Sequence, residues 1–265
     1  MKLFALLFAA AAVLVSSPLY AAPKASAGAD MAEDDAAAPK TGVRFVICSP
    51  DGATLPSPLF YKSGKTTYKR VSISSRTPSP RIRPEGGVVN FYSEDPSAAA
   101  AAADAAGPKK EAKLPEPVLS IPVEGSGKQL CIVVPNKAGG KPQTFFVKES
   151  AFAKNGMHII NFSSFPLRIT TAAKPDFSDK KDSAIGVFHR DKGICEENTW
   201  TYTGETGKAV SFILSFKSKD AKDFKNFKAS KFVITDRQSQ INVVVKDPTR
   251  ETLKLLSIQL ADDAK

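Results

Sequence analysis

The sequence predicts an all-β protein, an antiparallel β-sandwich with at most one or two short helices. Runs rich in Val, Ile, Phe and Tyr follow one another from Val43 to Leu260, and Pro, Gly, Ser and Asn separate them. This succession is the pattern of short strands and turns. Several runs also alternate polar and apolar residues, as strands do when one face of an antiparallel sheet is buried and the other is wet.

The first 21 residues have the pattern of a secretory signal peptide. Lys2 precedes an uninterrupted apolar run from Leu3 to Val15, and small residues surround the expected cleavage point after Ala21. This apolar run is too short to cross a bilayer, and an uncleaved anchor is the alternative. We expect an exported protein, in the periplasm, at the cell surface or outside the cell, with no transmembrane segment after cleavage.

The remaining chain divides by composition. Residues 22–41 carry Met31 as their one sizeable apolar side chain, which predicts a disordered tether. Residues 43–262 form the ordered part, interrupted by an Ala-, Pro- and Lys-rich stretch at 93–117. The ordered segment before that stretch is short for an independent domain, because small domains bury too little surface. We therefore predict a single composite β-sandwich with a flexible insertion.

The apolar runs predict the positions of the strands. The runs cover residues 43–49, 59–62, 67–74, 88–93, 117–123, 129–135, 144–149, 158–163, 167–171, 185–190, 199–204, 209–217, 231–235, 241–247 and 253–260. The last two form the clearest hairpin, with Asp247 and Pro248 as turn formers. A short helix of about two turns is expected at 220–229, where Phe224 and Phe227 share one side.

The charge distribution points to an anionic partner. The chain carries a formal net charge of +10, and no Asp or Glu occurs between Gly52 and Pro84. Such a surface attracts polyanions, and an exported protein meets acidic glycans, lipid head groups or envelope proteins rather than nucleic acid. The simpler interpretation is a set of solvated charges that keep sheet edges from aggregating. The candidate polyanion-binding residues are Lys62, Lys65, Lys69, Arg70, Arg76, Arg81 and Arg83.

Residues suited to metal binding or catalysis are scarce. The two histidines, His158 and His189, and the three cysteines, Cys48, Cys131 and Cys195, lack close ligand spacings such as CxxC or HxxxH. No complete phosphate loop and no GxSxG is present. We expect no catalytic residue, no metal and no cofactor. An odd cysteine count allows at most one internal disulfide, and its pairing stays open.

A second function class rests on one aromatic pair. Trp200 and Tyr202 follow Glu196 and Glu197, and aromatic rings beside carboxylates suit sugars. The alternative function is therefore carbohydrate binding or carbohydrate chemistry around Trp200. Adjacent residues of a strand face opposite sides, however, so these two carboxylates would not flank one glycosidic bond. A core tryptophan is the simpler interpretation.

Three stretches together carry a resemblance. They are VRFVICSP with YKSGKTTYKRVSI, ESAFAKNGMHIINFSSFPLRI, and KFVITDRQSQINVVVKDPTRETLKLLSI. Their order is similar to a class of exported bacterial β-sandwich proteins, immunoglobulin-like in shape, most of which have no assigned activity. The resemblance implies an immunoglobulin-like sandwich and transfers no catalytic residue. We predict a non-enzymatic binding or structural protein of the cell envelope that acts through surface contacts.

Overall fold

The computed structural model describes residues 41–49, 53–98, 115–136, 140–236, 238–247 and 252–261. The predicted signal peptide, the predicted tether up to residue 40 and residues 99–114 of the predicted insertion lie outside the described residues. Within the described ranges no helix has the length and apolar character needed to span a membrane.

The described residues are mostly strand, which confirms the all-β prediction. The strands are β1 (Gly42–Ile47), β2 (Leu59–Lys62), β3 (Tyr68–Val71), β4 (Val88–Tyr92), β5 (Leu119–Pro122), β6 (Lys128–Val134), β7 (Gln143–Lys148), β8 (Gly156–Asn161), β9 (Leu167–Ala172), β10 (Lys181–Ile185), β11 (Thr199–Thr203), β12 (Ala209–Phe216), β13 (Lys225–Val233), β14 (Gln238–Lys246) and β15 (Leu253–Ala261). Single 3-10 turns occur at Glu149–Ala151 and Glu196–Asn198.

These strands pair, within the described residues, into four sheets. The orders are β1-β6-β7, β3-β2-β4-β5, β11-β8-β14-β15 and β10-β9-β12-β13. Most pairs are antiparallel, including the predicted hairpin of β14 with β15. Two pairs are parallel, β1 with β6 and β8 with β14. Parallel neighbours need a long crossover connection. In both pairs this connection contains other strands, β2 to β5 between β1 and β6, and β9 to β13 between β8 and β14.

Two of the cores each lie within one half of the chain. The first core draws on strands β1 to β6 and centres on Phe45 and Phe91, whose rings meet edge to face at 5.2 Å. The second draws on strands β8 to β15 and includes Ile159, Leu214 and Phe216. Each core contains alternate residues of its strands, because successive side chains of a strand point to opposite faces of the sheet.

A third core joins the two halves. Alternate residues of β1 and β6 that point away from the first core meet residues of β8, β14 and β15. Its buried members are Val46, Cys48, Leu130, Ile132, Phe152, Ile160, Ile241, Val243, Val245, Ile258 and Leu260. Strands β6 and β14 are therefore buried on both faces, which explains their nearly continuous apolar sequences.

The described strands on either side of the predicted insertion are neighbours. Strands β4 and β5 pair in antiparallel register, with Val89 opposite Ile121 and Phe91 opposite Leu119. The backbone N–H of Val118 also donates to the carbonyl of Phe91 at 2.9 Å. The segment between Tyr92 and Leu119 thus leaves and re-enters one sheet at adjacent positions.

Two secondary-structure predictions were wrong. The helix expected at 220–229 is not formed; its second half belongs to the edge strand β13, because Phe227 packs against the second core. The strand expected at 185–190 ends at Ile185. There the N–H of Gly186 donates to the carbonyl of Glu197 at 2.7 Å and takes the chain out of the sheet.

Candidate functional site

Six basic residues of the first half lie on the outer strand β3 or in the sequence around it, and all of them except the half-buried Lys62 are exposed. We call Lys62, Lys65, Lys69, Arg70, Arg76 and Arg83 the basic edge. Strand β3 is the outermost strand of the sheet β3-β2-β4-β5, so a partner can approach it from the side. Lys69 and Arg70 are both exposed there, although they point to opposite faces.

The outward face of this sheet combines cations with aromatic rings. Residues of β2 to β4 that point away from the first core include Lys62, Arg70, Tyr68 and Tyr92. The two tyrosine rings meet edge to face at 5.5 Å between centroids. Both rings are half-buried, so each keeps part of its surface available. The face therefore offers cations and flat apolar surfaces side by side.

One carboxylate lies against this surface. The ammonium of Lys62 donates to Glu85 Oε2 at 3.0 Å, and this hydrogen bond raises the pKa of Lys62 above its ordinary value. Lys62 is therefore charged at neutral pH. Burial raises the pKa of Tyr92, so this phenol stays protonated and remains a hydrogen-bond donor.

Arg81 does not belong to the basic edge, which corrects the grouping made from the sequence. Its neighbour Ile82 enters the first core and pairs with Val43 across a backbone bridge, so the Arg81 side chain points the opposite way. Its side chain is fully buried, and its Nη1 and Nη2 donate hydrogen bonds to Glu149 Oε1 at 3.0 Å and to Glu149 Oε2 at 2.8 Å. Such a group cannot contact an external polyanion.

Arg44 completes this buried arrangement. Its Nε lies 3.8 Å from Glu149 Oε1, and its Nη1 donates to the carbonyl of Ala261 at 2.6 Å. Arg81 Nη1 in turn donates to the carbonyl of Gly42 at 3.2 Å. We call Arg81, Arg44 and Glu149 the buried cation cluster; it ties β1 to the end of β15 and to the turn that follows β7.

The aromatic pair of the alternative function faces the second core. Trp200 and Tyr202 lie opposite Ile159 and Met157 of β8, and both pack against that core in a half-buried, stacked arrangement with centroids 6.1 Å apart. Glu197 instead points to solvent and pairs with Lys192 at 2.9 Å, which lowers the pKa of Glu197. The rings are thus engaged in packing rather than offered as a platform.

The cysteines and histidines occupy separate places. All three cysteines are free thiols, and burial raises the pKa of Cys48 to about 12 and that of Cys131 further. Cys48 and Cys131 are therefore protonated and unreactive, like buried hydrophobes. His158 is buried, whereas His189 is exposed. Among the described residues no three His, Cys, Asp or Glu side chains come together as metal ligands would.

One cleft at the described surface was not predicted from the sequence. A cleft of about 690 Å³ lies where the third core opens to solvent, and we call it the junction cleft. Its lining includes Arg44, Lys128, Lys148, Glu149, Lys154 and Leu260. These residues come from β1, β6, β7 and β15 and from the segment between β7 and β8, so no local motif joins them. Only the tertiary arrangement brings their charges together.

Comparison with known proteins adds no family assignment. The chain matches no protein-family model, and no curated protein sequence matches it at a significant level. The similarity to exported immunoglobulin-like proteins therefore stays a hypothesis that rests on the sequence patterns.

Proposed function

We propose that this protein is a non-enzymatic, exported binding protein of the cell envelope that recognises acidic glycans through the basic edge. The observation that carries the proposal is the outward face of β2 to β4, where Lys62 and Arg70 share a surface with Tyr68 and Tyr92. Cations pair with acid groups, and tyrosine rings pack against the apolar faces of sugars.

The positions of the charges favour an extended ligand over a small one. Lys65, Lys69 and Arg83 are exposed beyond the sheet face, in the turn between β2 and β3, on β3 and before β4. An extended acidic polymer can contact several of these charges at once, and each contact contributes little by itself. Exposed charges of this kind are screened by salt. Affinity is therefore expected to fall steeply as the salt concentration rises.

The test compares two triple variants that lose the same charge. In the first, Lys65→Gln, Lys69→Gln and Arg70→Gln neutralise part of the basic edge. In the second, Lys225→Gln, Lys228→Gln and Lys231→Gln neutralise exposed lysines on the edge strand β13. Binding to an immobilised polyuronate is measured at low and at high salt. We expect the first variant to lose roughly tenfold in affinity at low salt, and the second to lose little.

Two outcomes would count against the proposal. Equal losses in both variants would mean that only the net charge matters and that the basic edge is no specific surface. Binding that does not weaken with salt would contradict a charge-based contact altogether. Parallel measurements on vesicles with anionic lipids and on a neutral glucan identify the ligand class, since an acidic glycan ligand requires preference for the polyuronate over both.

A further inference from the structure

We propose that a small hollow beside the basic edge binds one uronate residue of the acidic glycan, with the carboxylate at Arg83 and a sugar hydroxyl at Gln129. This inference rests on the proposed function and names the sugar unit that its site takes. We call the space the glycine hollow. Its volume is about 220 Å³, and its lining includes Arg83, Val123, Gly125, Gly127 and Gln129.

Arg83 connects the glycine hollow with the basic edge. The same residue lines a second hollow together with Lys62 and Tyr92 of the outward sheet face. Arg83 is exposed, forms no ion pair with a described residue, and is the one charged side chain among the described lining residues of the glycine hollow. An acid group there meets a cation, and the glycan can continue onto the face that carries Lys62 and Tyr92.

Gln129 supplies a buried acceptor where the first core meets the glycine hollow. It points to the same face of β6 as Cys131 and Val133 of that core, yet it is polar and only 4% exposed. Its Nε2 donates to the carbonyl of Glu124 at 2.7 Å, whereas its Oε1 has no hydrogen-bond partner among the described residues. A buried acceptor without a partner costs free energy, and a ligand hydroxyl that donates to it recovers part of that cost.

Gly125 leaves the Gln129 amide open on the side of the hollow. Its φ is +81°, and a Cβ added to it would lie 3.1 Å from Gln129 Nε2. Glycine is therefore favoured here by the backbone conformation and by the space beside the amide, and bare backbone lets a ligand approach closely. Val123, half-buried at the edge of the first core, adds a small apolar surface for the sugar ring.

The size and chemistry of the glycine hollow favour a single uronate ring. Drug-sized sites occupy about 300–1,000 Å³, and the glycine hollow, at about 220 Å³, is smaller. A uronate carries hydroxyl donors and a carboxylate on one ring, so it satisfies Gln129 and Arg83 together. A neutral sugar leaves Arg83 unused, and a simple acid leaves the Gln129 oxygen unpaired.

The experiment separates the acid group from the ring. Methyl glucuronide is titrated into the full chain, and binding is followed by NMR chemical shifts, including those of the Gln129 side-chain amide. Methyl glucoside has the same ring without the acid, and acetate has the acid without the ring. We expect methyl glucuronide to bind at least about fivefold more tightly than either control, because each control satisfies only one of the two protein groups.

Two variants remove the two protein groups in turn. Arg83→Gln removes the cation and should weaken methyl glucuronide binding by roughly two- to fivefold. Its matched control, Arg76→Gln, removes the same charge elsewhere on the basic edge and should leave the affinity unchanged. Gln129→Met keeps the side-chain length but removes the acceptor, and should weaken binding about fivefold.

A pair of glycine variants tests the space beside the Gln129 amide. Gly125→Ala places a methyl group against that amide and should weaken methyl glucuronide binding. Gly207→Ala is the matched control, because Gly207 has φ +83°, open space around it and a place between β11 and β12. Both variants carry similar backbone strain, so a difference between them reports on the hollow. Urea denaturation checks folding, and Arg83→Gln and this pair decide the proposal if Gln129→Met does not fold.

The outcomes distinguish this inference from the proposed function. Equal binding of methyl glucuronide and methyl glucoside, or equal losses in Arg83→Gln and Arg76→Gln, would overturn the uronate site, while salt-dependent polyuronate binding would still support the basic edge. The triple variant Lys65→Gln, Lys69→Gln and Arg70→Gln should lose polyuronate affinity and keep methyl glucuronide affinity. Normal polyuronate binding by that variant would contradict the proposed function instead.

Discussion

Arg81 and Arg70 come from the same acid-free stretch of sequence but meet opposite environments. Arg70 is exposed on the edge strand β3, where water surrounds its charge. Arg81 is fully buried and held by both oxygens of Glu149. A buried charge is expensive unless it is paired, whereas an exposed one costs little and gains little from a partner. The same residue type therefore serves the fold in one place and is available to ligands in the other.

The largest expected effect comes from removing the carboxylate of the buried cation cluster. Glu149→Gln removes the carboxylate that pairs with the buried Arg81 and lies beside Arg44, and breaking a buried pair in this way costs about 3–5 kcal/mol of the free energy of unfolding. Urea denaturation measures it. Glu85→Gln, which breaks the exposed pair with Lys62, is the control and should leave the urea midpoint unchanged.

A double variant sharpens this prediction. Arg81→Met with Glu149→Leu replaces the ion pair by apolar groups, and it should recover a large part of the stability lost in Glu149→Gln. If Glu149→Gln is as stable as the parent chain, the buried cation cluster does not hold the fold together, and the contrast with the basic edge loses its physical basis.

A smaller loss is expected at the glycine that adjoins the buried cation cluster. Gly42 has φ +133°, and a Cβ at this position would lie 2.5 Å from the carbonyl oxygen of Ile82. Gly42→Ala should therefore cost about 1–3 kcal/mol in urea denaturation. Gly86, with φ +58° and open space around it, provides the control near the basic edge. Gly86→Ala carries the backbone strain alone, and a loss as large as that of Gly42→Ala would argue against the clash.

The smallest effect is a pH dependence from His158. Burial lowers the pKa of this ring below its ordinary value of 6.5, and its hydrogen bond to the carbonyl of Ala153 opposes that shift without reversing it. The ring also contacts Thr201 and the ring of Phe152. The unfolded chain thus binds the proton more readily than the folded one. His158 imposes no penalty above pH 6.5, and stability is lost as the pH falls from there through the folded pKa.

Comparison of two histidine variants checks this pH dependence. Between about pH 7.5 and about pH 5, His158→Gln should show a shallower decline in urea midpoint than the parent chain. His189→Gln, at an exposed ring, should decline as the parent does. A parent-like decline in His158→Gln would assign the acid sensitivity to other groups.

The sequence predicted those features that are decided locally. Alternation and apolar runs placed most strands, and the turn formers Asp247 and Pro248 identified the β14–β15 hairpin. The end of strand β13, from Lys231, was predicted, but its first part was assigned to a helix because Phe224 and Phe227 could share one side of it. Its strand state is set by pairing with β12, which no local pattern reveals.

The features set by distant contacts could not be predicted. The parallel pairing of β1 with β6 depends on the third core, whose members are spread along most of the ordered chain. Arg81 looks like its basic neighbours until Ile82 is known to enter the first core. The junction cleft likewise exists only once several strand ends meet. In each case the missing information is which residues face each other across the fold.

The pairing of β4 with β5 has a consequence for how this protein can change over time. Because Phe91 and Leu119 are already side by side, the sheet does not depend on what connects them. Each doubling of a flexible connection costs only about 0.6 kcal/mol in closure entropy. The connection between these strands can therefore become longer or shorter, or change in sequence, without altering either face of the sheet. The basic edge and the first core can stay the same while this connection evolves.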